Sequence, residues 1–352
     1  MVSAVERPSW SYARAGVDVS VRSRALTKLL TAVRYVPPPT HGRPVELPGH
    51  FAGLLRIGRE TIAVTTDTVG TKVILAERVG RWEEVGEDIV GVNVNDLAAV
   101  GARPAGLVDT ILCAHPDEAV FAAIGRGLDR GLRSAQCALL GGETAIVPDI
   151  VGGIDLGGTA FGFFPGGRRP VTGTRIRPGD RILGIPSTGF HANGFTLVRR
   201  LMEEAHADLS RPRPGADIAL GTELLVPTRI YTGIADALAG EPETHGLAHI
   251  SGGGVRNLVR LHPKVEFVLD RWPEPPSIFR WVQSLGGIAE EEMYQTFNMG
   301  IGFVAVVARE HLAATRRRLA RAGARDAIEI GHVERGSGVS LPSLRLNYSG
   351  YE

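Results

Sequence analysis

Short apolar runs that stop at an acid or a glycine, each followed by a helical pattern, constrain this chain more than any other feature. ETIAVTTD reads as a strand ending at Asp67, and AGLVDTILCA as a second strand. Between them, the stretch closing with EDIVGVNVNDLAAVGA is helix-like, with Ile89, Val92, Leu97 and Val100 near one face. PDEAVFAAIGRGLDRGLRSAQ reads as an amphipathic helix, CALLGGETA as a strand running into a glycine turn, and GGTAFGFFP as another short strand. After an aperiodic stretch, PGGRRP at 165–170, the pattern restarts. RPGDRILGIPSTGFHANGFTLVRRLMEEA is turn, strand, polar glycine loop and helix; AHISGGGVRNLVRLH repeats that order, and FNMGIGFVAVVA is a late strand. Mixed α and β structure follows, in two domains divided within PGGRRP: 1–168 and 169–352. The segment 34–49, RYVPPPTHGRPVELPG, reads as an extended or mobile loop.

Bulk properties narrow the function classes. A length of 352 residues suits two cores, and 43% hydrophobic with 22% charged residues is ordinary for a globular protein. A formal net charge of +1 argues against nucleic-acid binding. No segment approaches the ~18 apolar residues of a membrane helix, and the opening MVSAVERPSW has no signal-peptide core. Cys113 and Cys137 lack metal or CxxC spacing and read as reduced thiols, so a cytoplasmic location is expected. The run Arg316-Arg317-Arg318 reads as a solvated helix face.

Four acids stand at the ends of apolar runs: Asp67, Asp96, Asp109 and Glu143. Hard divalent cations take carboxylates together with phosphates and water, which suits such positions; single acids there also serve as caps and turn formers. In DTVGTK, Gly70 and Thr71 can turn backbone amides toward an anion, and Lys72 adds a positive charge. Lysine occurs otherwise only at Lys28 and Lys264. No Walker loop, dinucleotide fingerprint or GxSxG elbow is present. In the second half, Gly252-Gly253-Gly254 precede a helical pattern, an arrangement that lets backbone approach a phosphate. His191, in the loop that also holds Asn193, and His249 are candidate proton carriers or structural hydrogen-bonders.

Taken in order, AGVDVS, TTDTVGTK, GEDIVGVNVNDLAAVGARP, LLGGETA, STGFHANGFTLVR, LLVPTRIY, GLAHISGGG and EEMYQTFNMGIG closely resemble the phosphoribosylformylglycinamidine cyclo-ligase family, over about residues 12–333. The resemblance implies an N-terminal mixed-sheet domain that pairs with a second subunit into a shared barrel, and a C-terminal α/β domain. It implies an ATP- and Mg2+-dependent ring closure of formylglycinamidine ribonucleotide in purine biosynthesis, carried out by a homodimer. By position, Asp67, Asp96 and Glu143 become metal ligands or ATP-phosphate contacts. Gly70, Thr71, Lys72, Asp109 and Thr144 join the nucleotide site, while Gly252, Gly253 and Gly254 face phosphates. His191, Asn193 and His249 face the substrate, and either histidine could move protons.

The chain departs from the family pattern in four segments. Thr68 stands where a glycine is usual, LPGHFAGLL (47–55) carries His50 in a normally glycine-rich segment, IVPDIV occupies 146–151, and Arg256-Asn257 follow the triple glycine. These changes motivate two alternatives: a non-catalytic nucleotide-binding paralogue, or an altered-substrate enzyme resembling formylglycinamidine ribonucleotide synthetase.

Overall fold

The computed structural model describes residues 9–35, 38–47 and 49–351. Part of the loop expected at 34–49, namely 36–37 and 48, therefore lies outside the described residues; within the rest is a short strand, β1 (Arg43–Val45).

The first sheet adds β2 (Gly53–Ile57), β3 (Glu60–Thr68), β4 (Arg103–Cys113), β5 (Ala138–Ile146) and β6 (Ile154–Phe163), in the order β1-β2-β3-β6-β4-β5. Only β4 and β5 run parallel. Alternation sets its two faces. Ala63, Thr65, Leu107, Ile111, Leu156 and Ala160 are buried on the inner face. Val64, Val108, Phe161 and Phe163 stand exposed on the outer one.

Helices cover the inner face, with α3 packed against β3, β4 and β6. α1 (Val19–Ala32), which buries no residue, is capped by Asp18, whose carboxylate accepts from the Ser20 and Val21 amides. α2 (Lys72–Val79) and α3 (Glu83–Ala99) follow β3, and α4 (Glu118–Ala135) follows β4. α3 is buried nearly all round, so the one-faced pattern expected for it is incomplete: it packs against the first sheet, α4 and elements of the second domain. Glycines in α4 let the two helices touch closely; a Cβ at Gly127 would lie 1.9 Å from the Glu83 carbonyl oxygen.

The second sheet contains β7 (Arg181–Pro186), β8 (Thr244–His249), β9 (Val265–Val268), β10 (Ile301–Val307), β11 (Ile328–Arg335), β12 (Gly338–Leu341) and β13 (Leu346–Tyr348). Their order is β13-β12-β9-β11-β7-β10-β8, with all seven β10 residues buried. After β7 comes α5 (Phe195–Glu204), as the pattern predicts. After β8 it does not: Gly254–Arg260 is a 3-10 turn rather than an α-helix. Gly253 (φ 108°) and Gly254 (φ 54°) start it in left-handed conformations. The arginine run lies on the helix Leu312–Arg321, where Arg318 pairs with Glu241 and Glu243. No described helix is long and apolar enough to cross a membrane.

Candidate active site at the domain junction

The end of β3, the last turn of α3 and the end of β8 converge between the sheets. At this junction the His249 Nδ1 lies 2.9 Å from Asp96 Oδ1. A neutral imidazole satisfies that contact by donating from Nδ1–H, which leaves Nε2 as the basic nitrogen. His249 is buried and its Nε2 has no hydrogen-bond partner among the described residues. Asp67, on β3, is exposed at the lip of the junction, with protein packed closely around it. Loss of hydration, then the nearby Asp96 charge, push its carboxyl up to about 6; the Thr68 amide, donating to it at 2.8 Å, pulls the other way. Two carboxylates crowded in this manner are a fit for a shared cation, and Mg2+ commonly takes one or two protein carboxylates, with phosphates and water completing its shell.

The expected trio of metal ligands is not assembled within the chain. Among the described residues no group of three or more His, Cys, Asp or Glu is arranged to hold a metal ion. Asp67 and Asp109 both align with Gly158 of β6, so they share the inner face across three strands. Glu143 aligns instead with Thr110, on the outer face. The cause is a register shift: Leu107 pairs with Leu139 but Val108 with Gly141, so one extra residue in β5 reverses the facing of everything after it. The strand also continues through Gly141 and Gly142 to Ile146, where a turn was expected. Thr144, aligned with Ile111, is exposed on this edge strand.

Lys72 requires a second correction. Its side chain is 0% exposed and its ammonium lies 2.6 Å from Asp88 Oδ2. It also donates to the His191 and Val226 carbonyls at 2.8 and 3.0 Å. All three contacts lie inside the protein, so the phosphate contact expected of Lys72 is unavailable in this conformation. Gly70 (φ 66°) and Thr71 precede it at the start of α2, beside a cavity of about 470 Å³ shared with Gly152 and Asp155. Thr68 is no source of strain: it pairs with Gly157 as the last residue of β3, and the left-handed turn falls on Gly70.

The histidines separate. His191 is fully buried, and burial holds its imidazole well below the ordinary value, hence neutral. Its ring lies against Tyr231 and Gly302, where a Cβ on Gly302 would come within 2.5 Å. That packing fixes the ring, and its Nδ1, like His249 Nε2, is buried with no hydrogen-bond partner among the described residues. Asn193 stays partly exposed beside Gly252, its Oδ1 3.0 Å from where a Gly252 Cβ would sit. The glycine turn is braced from within. Asn257 donates to the Gly254 carbonyl at 3.0 Å, Arg256 reaches the Gln295 carbonyl at 3.2 Å, and Tyr351 Oη donates to the Gly252 carbonyl at 2.9 Å.

Several residues at the junction were not singled out from the sequence. Asp88 accepts from the Thr228 amide at 2.8 Å and hydroxyl at 2.6 Å, and Asn95 Oδ1 accepts from the Tyr231 amide at 2.8 Å. Asp88, Asn95 and Asp96 thus fasten α3 to the second domain; their spacings of seven and eight on a helix were the available signal. Arg260 donates to the Gly49 and His50 carbonyls at 2.6 and 2.9 Å and lies 4.0 Å over the Phe51 ring. Both His50 ring nitrogens are buried without hydrogen-bond partners among the described residues, and burial, reinforced by Arg260, pushes the imidazole down to about 4. A histidine lowered from 6.5 contributes stability that is complete above that value and is lost as pH falls through 4. His50→Leu is therefore expected to show a smaller drop in urea midpoint between about pH 7 and about pH 5 than the parent chain. An equal drop would mean that the ring is hydrated.

Comparison with known proteins adds to this geometry. Residues 49–164 match the family model for AIR synthase related protein, N-terminal domain, and 177–342 match its C-terminal counterpart. A phosphoribosylformylglycinamidine cyclo-ligase from Thermococcus kodakarensis is 42% identical over 347 residues, covering 96% of this chain and 98% of that one. The chain belongs to the phosphoribosylformylglycinamidine cyclo-ligase family. The cyclo-ligase of Pyrococcus furiosus is 40% identical over 346 residues, covering 96% and 99% of the two chains. Solved structures share the cyclo-ligase fold at lower identity. A ThiL complexed with AMPPCP and TMP has a TM-score of 0.66 at 18% identity, covering 95% of this chain and 96% of that one. HypE in its complex with HypF has a TM-score of 0.64 at 17% identity, covering 90% and 95%.

Proposed function

We propose that the protein closes the imidazole ring of aminoimidazole ribonucleotide, using ATP to activate formylglycinamidine ribonucleotide in de novo purine biosynthesis in the cytoplasm. The observation that carries this reading is the identity of 42% across 96% of the chain to a curated cyclo-ligase. The Asp96–His249 pair beside Asp67 gives it a chemical basis.

In the proposed reaction the formyl amide oxygen attacks the γ-phosphoryl group of ATP, releasing ADP and forming an iminophosphate. A nitrogen of the amidine side then attacks that carbon, phosphate departs with the oxygen, and one proton is lost as the ring closes. Converting the oxygen to phosphate supplies the leaving group that an amide lacks. Bound Mg2+ would neutralise charge on the phosphoryl group. Asp67 and Asp96 are the proposed ligands, with nucleotide phosphates and water supplying the remaining positions. Asp109, Gly70, Thr71 and Thr144 remain proposed nucleotide contacts. His249 is the proposed proton acceptor, because its Nδ1 is engaged by Asp96 and its Nε2 has no hydrogen-bond partner among the described residues. Asn193 and Gly252 to Gly254 are proposed to hold the substrate phosphate.

The test is direct. Purified protein given ATP, Mg2+ and formylglycinamidine ribonucleotide should release ADP and phosphate and form aminoimidazole ribonucleotide. Nucleotide binding without that product would favour the non-catalytic paralogue.

A homodimer is part of the proposal, supported by the outer face of the first sheet, where Val64, Val108, Phe161 and Phe163 are 36–42% exposed. Light scattering at micromolar concentration should give twice the chain mass. Val108→Glu with Phe161→Glu should give the single-chain mass; a monomeric parent would reject the dimer.

A further inference from the structure

A cavity of about 920 Å³ opens where β2 and β3, the 165–175 connection and the end of the second sheet meet. It is separate from the Asp67 junction. Thr61 lines it, and Thr61 and Asp67 are six residues apart on one strand, about 20 Å. Its lining holds four arginines, Arg56, Arg168, Arg169 and Arg175, against one acid, Glu241. Neutralisation is incomplete. Glu241 is engaged by Arg318 at 2.9 Å, and among the described residues only Arg168 of the four arginines has an acid, Asp236 at 2.9 Å. Arg175 donates to the carbonyls of Pro242 and Thr244 at 2.8 and 2.7 Å, contacts that orient the guanidinium and leave its charge uncompensated. Arg56 and Arg169 have no ion pair among the described residues. Arg56 also stands directly across the β1–β2 ladder from Arg43, a like-charge pair that costs stability unless an anion lies nearby.

We propose that this cavity binds a small phosphorylated molecule through its phosphate groups. Guanidinium forks match phosphate oxygens two at a time, and the volume falls within the range of small-ligand sites, which favour domain interfaces. The concave form and the chain's overall charge of +1 suit a small ligand rather than a nucleic-acid strand. Its walls come from the first sheet, the connection and the second domain, so an occupant links all three.

The experiment titrates inorganic pyrophosphate and, separately, ribose 5-phosphate into the full-length protein by calorimetry at low ionic strength without divalent cations. Saturable binding of at least one probe is expected, and the stronger probe distinguishes a polyphosphate source from a sugar phosphate. The double variant Arg56→Ser/Arg169→Ser should weaken it by about tenfold or more. Arg59→Ser, an exposed arginine outside the lining, should leave it unchanged. The probe should also raise the melting temperature of the parent and of Arg59→Ser but not of the double variant, which separates lost binding from lost folding. Absence of saturable heat up to about 10 mM of both probes, or equal affinity in parent and double variant, would overturn the proposal.

Discussion

Asp88→Ala is expected to lower the stability of the folded chain by about 3–5 kcal/mol, the cost of leaving one member of a buried ion pair alone. Asp88 and Lys72 are both 0% exposed and meet at 2.6 Å. Burial pushes each toward its neutral form, raising Asp88 and lowering Lys72, while their contact holds the charges in place. Removing the carboxylate strands the ammonium among carbonyls and strips two hydrogen bonds from Thr228. Lys72→Met should cost a similar amount for the mirror reason. In Lys72→Met/Asp88→Asn the asparagine oxygen can still accept from Thr228 and no lone charge remains, so part of the loss should return. Urea denaturation at neutral pH measures all three; a loss below about 1 kcal/mol for Asp88→Ala would mean that water reaches the pair.

Asp67→Asn is expected to reduce metal-dependent ATP turnover by at least about 100-fold, the scale on which one preorganised electrostatic contact acts. The same variant should be more stable than the parent in metal-free buffer above pH 6. The Asp67 carboxyl is raised from 3.8 to about 6 in the folded state, so its favourable contribution is complete below 3.8 and lost as pH rises through 6. An uncharged asparagine escapes that loss. Its melting temperature should exceed the parent's at pH 8 and converge with it near pH 4. Normal turnover would reject the role for Asp67, and a lower melting temperature at pH 8 would reject the crowding of the two acids.

Periodicity and turn chemistry were enough to read β3, β4, β10, α4 and α5, because each buries one face or a whole run of apolar residues. The helix expected after His249 failed because Gly253 and Gly254 hold left-handed angles and Gly254 is pressed against the Tyr294 carbonyl, where a Cβ would lie at 2.0 Å. Local sequence carries no trace of that neighbour.

The candidate site divides along the same line. DTVGTK, NVNDL, HANG and HISGGG are local, and their order alone identified the family. Sequence also marked Asp67, Asp96 and His249 as polar residues at the ends of apolar elements, and tertiary structure brings them together. What sequence could not show was direction. One extra residue in β5 turns Glu143 to the outer face, and the packing of α3 between the domains encloses Lys72 with Asp88. Facing and burial depend on register and on neighbours distant in the chain, and only the assembled fold supplies both.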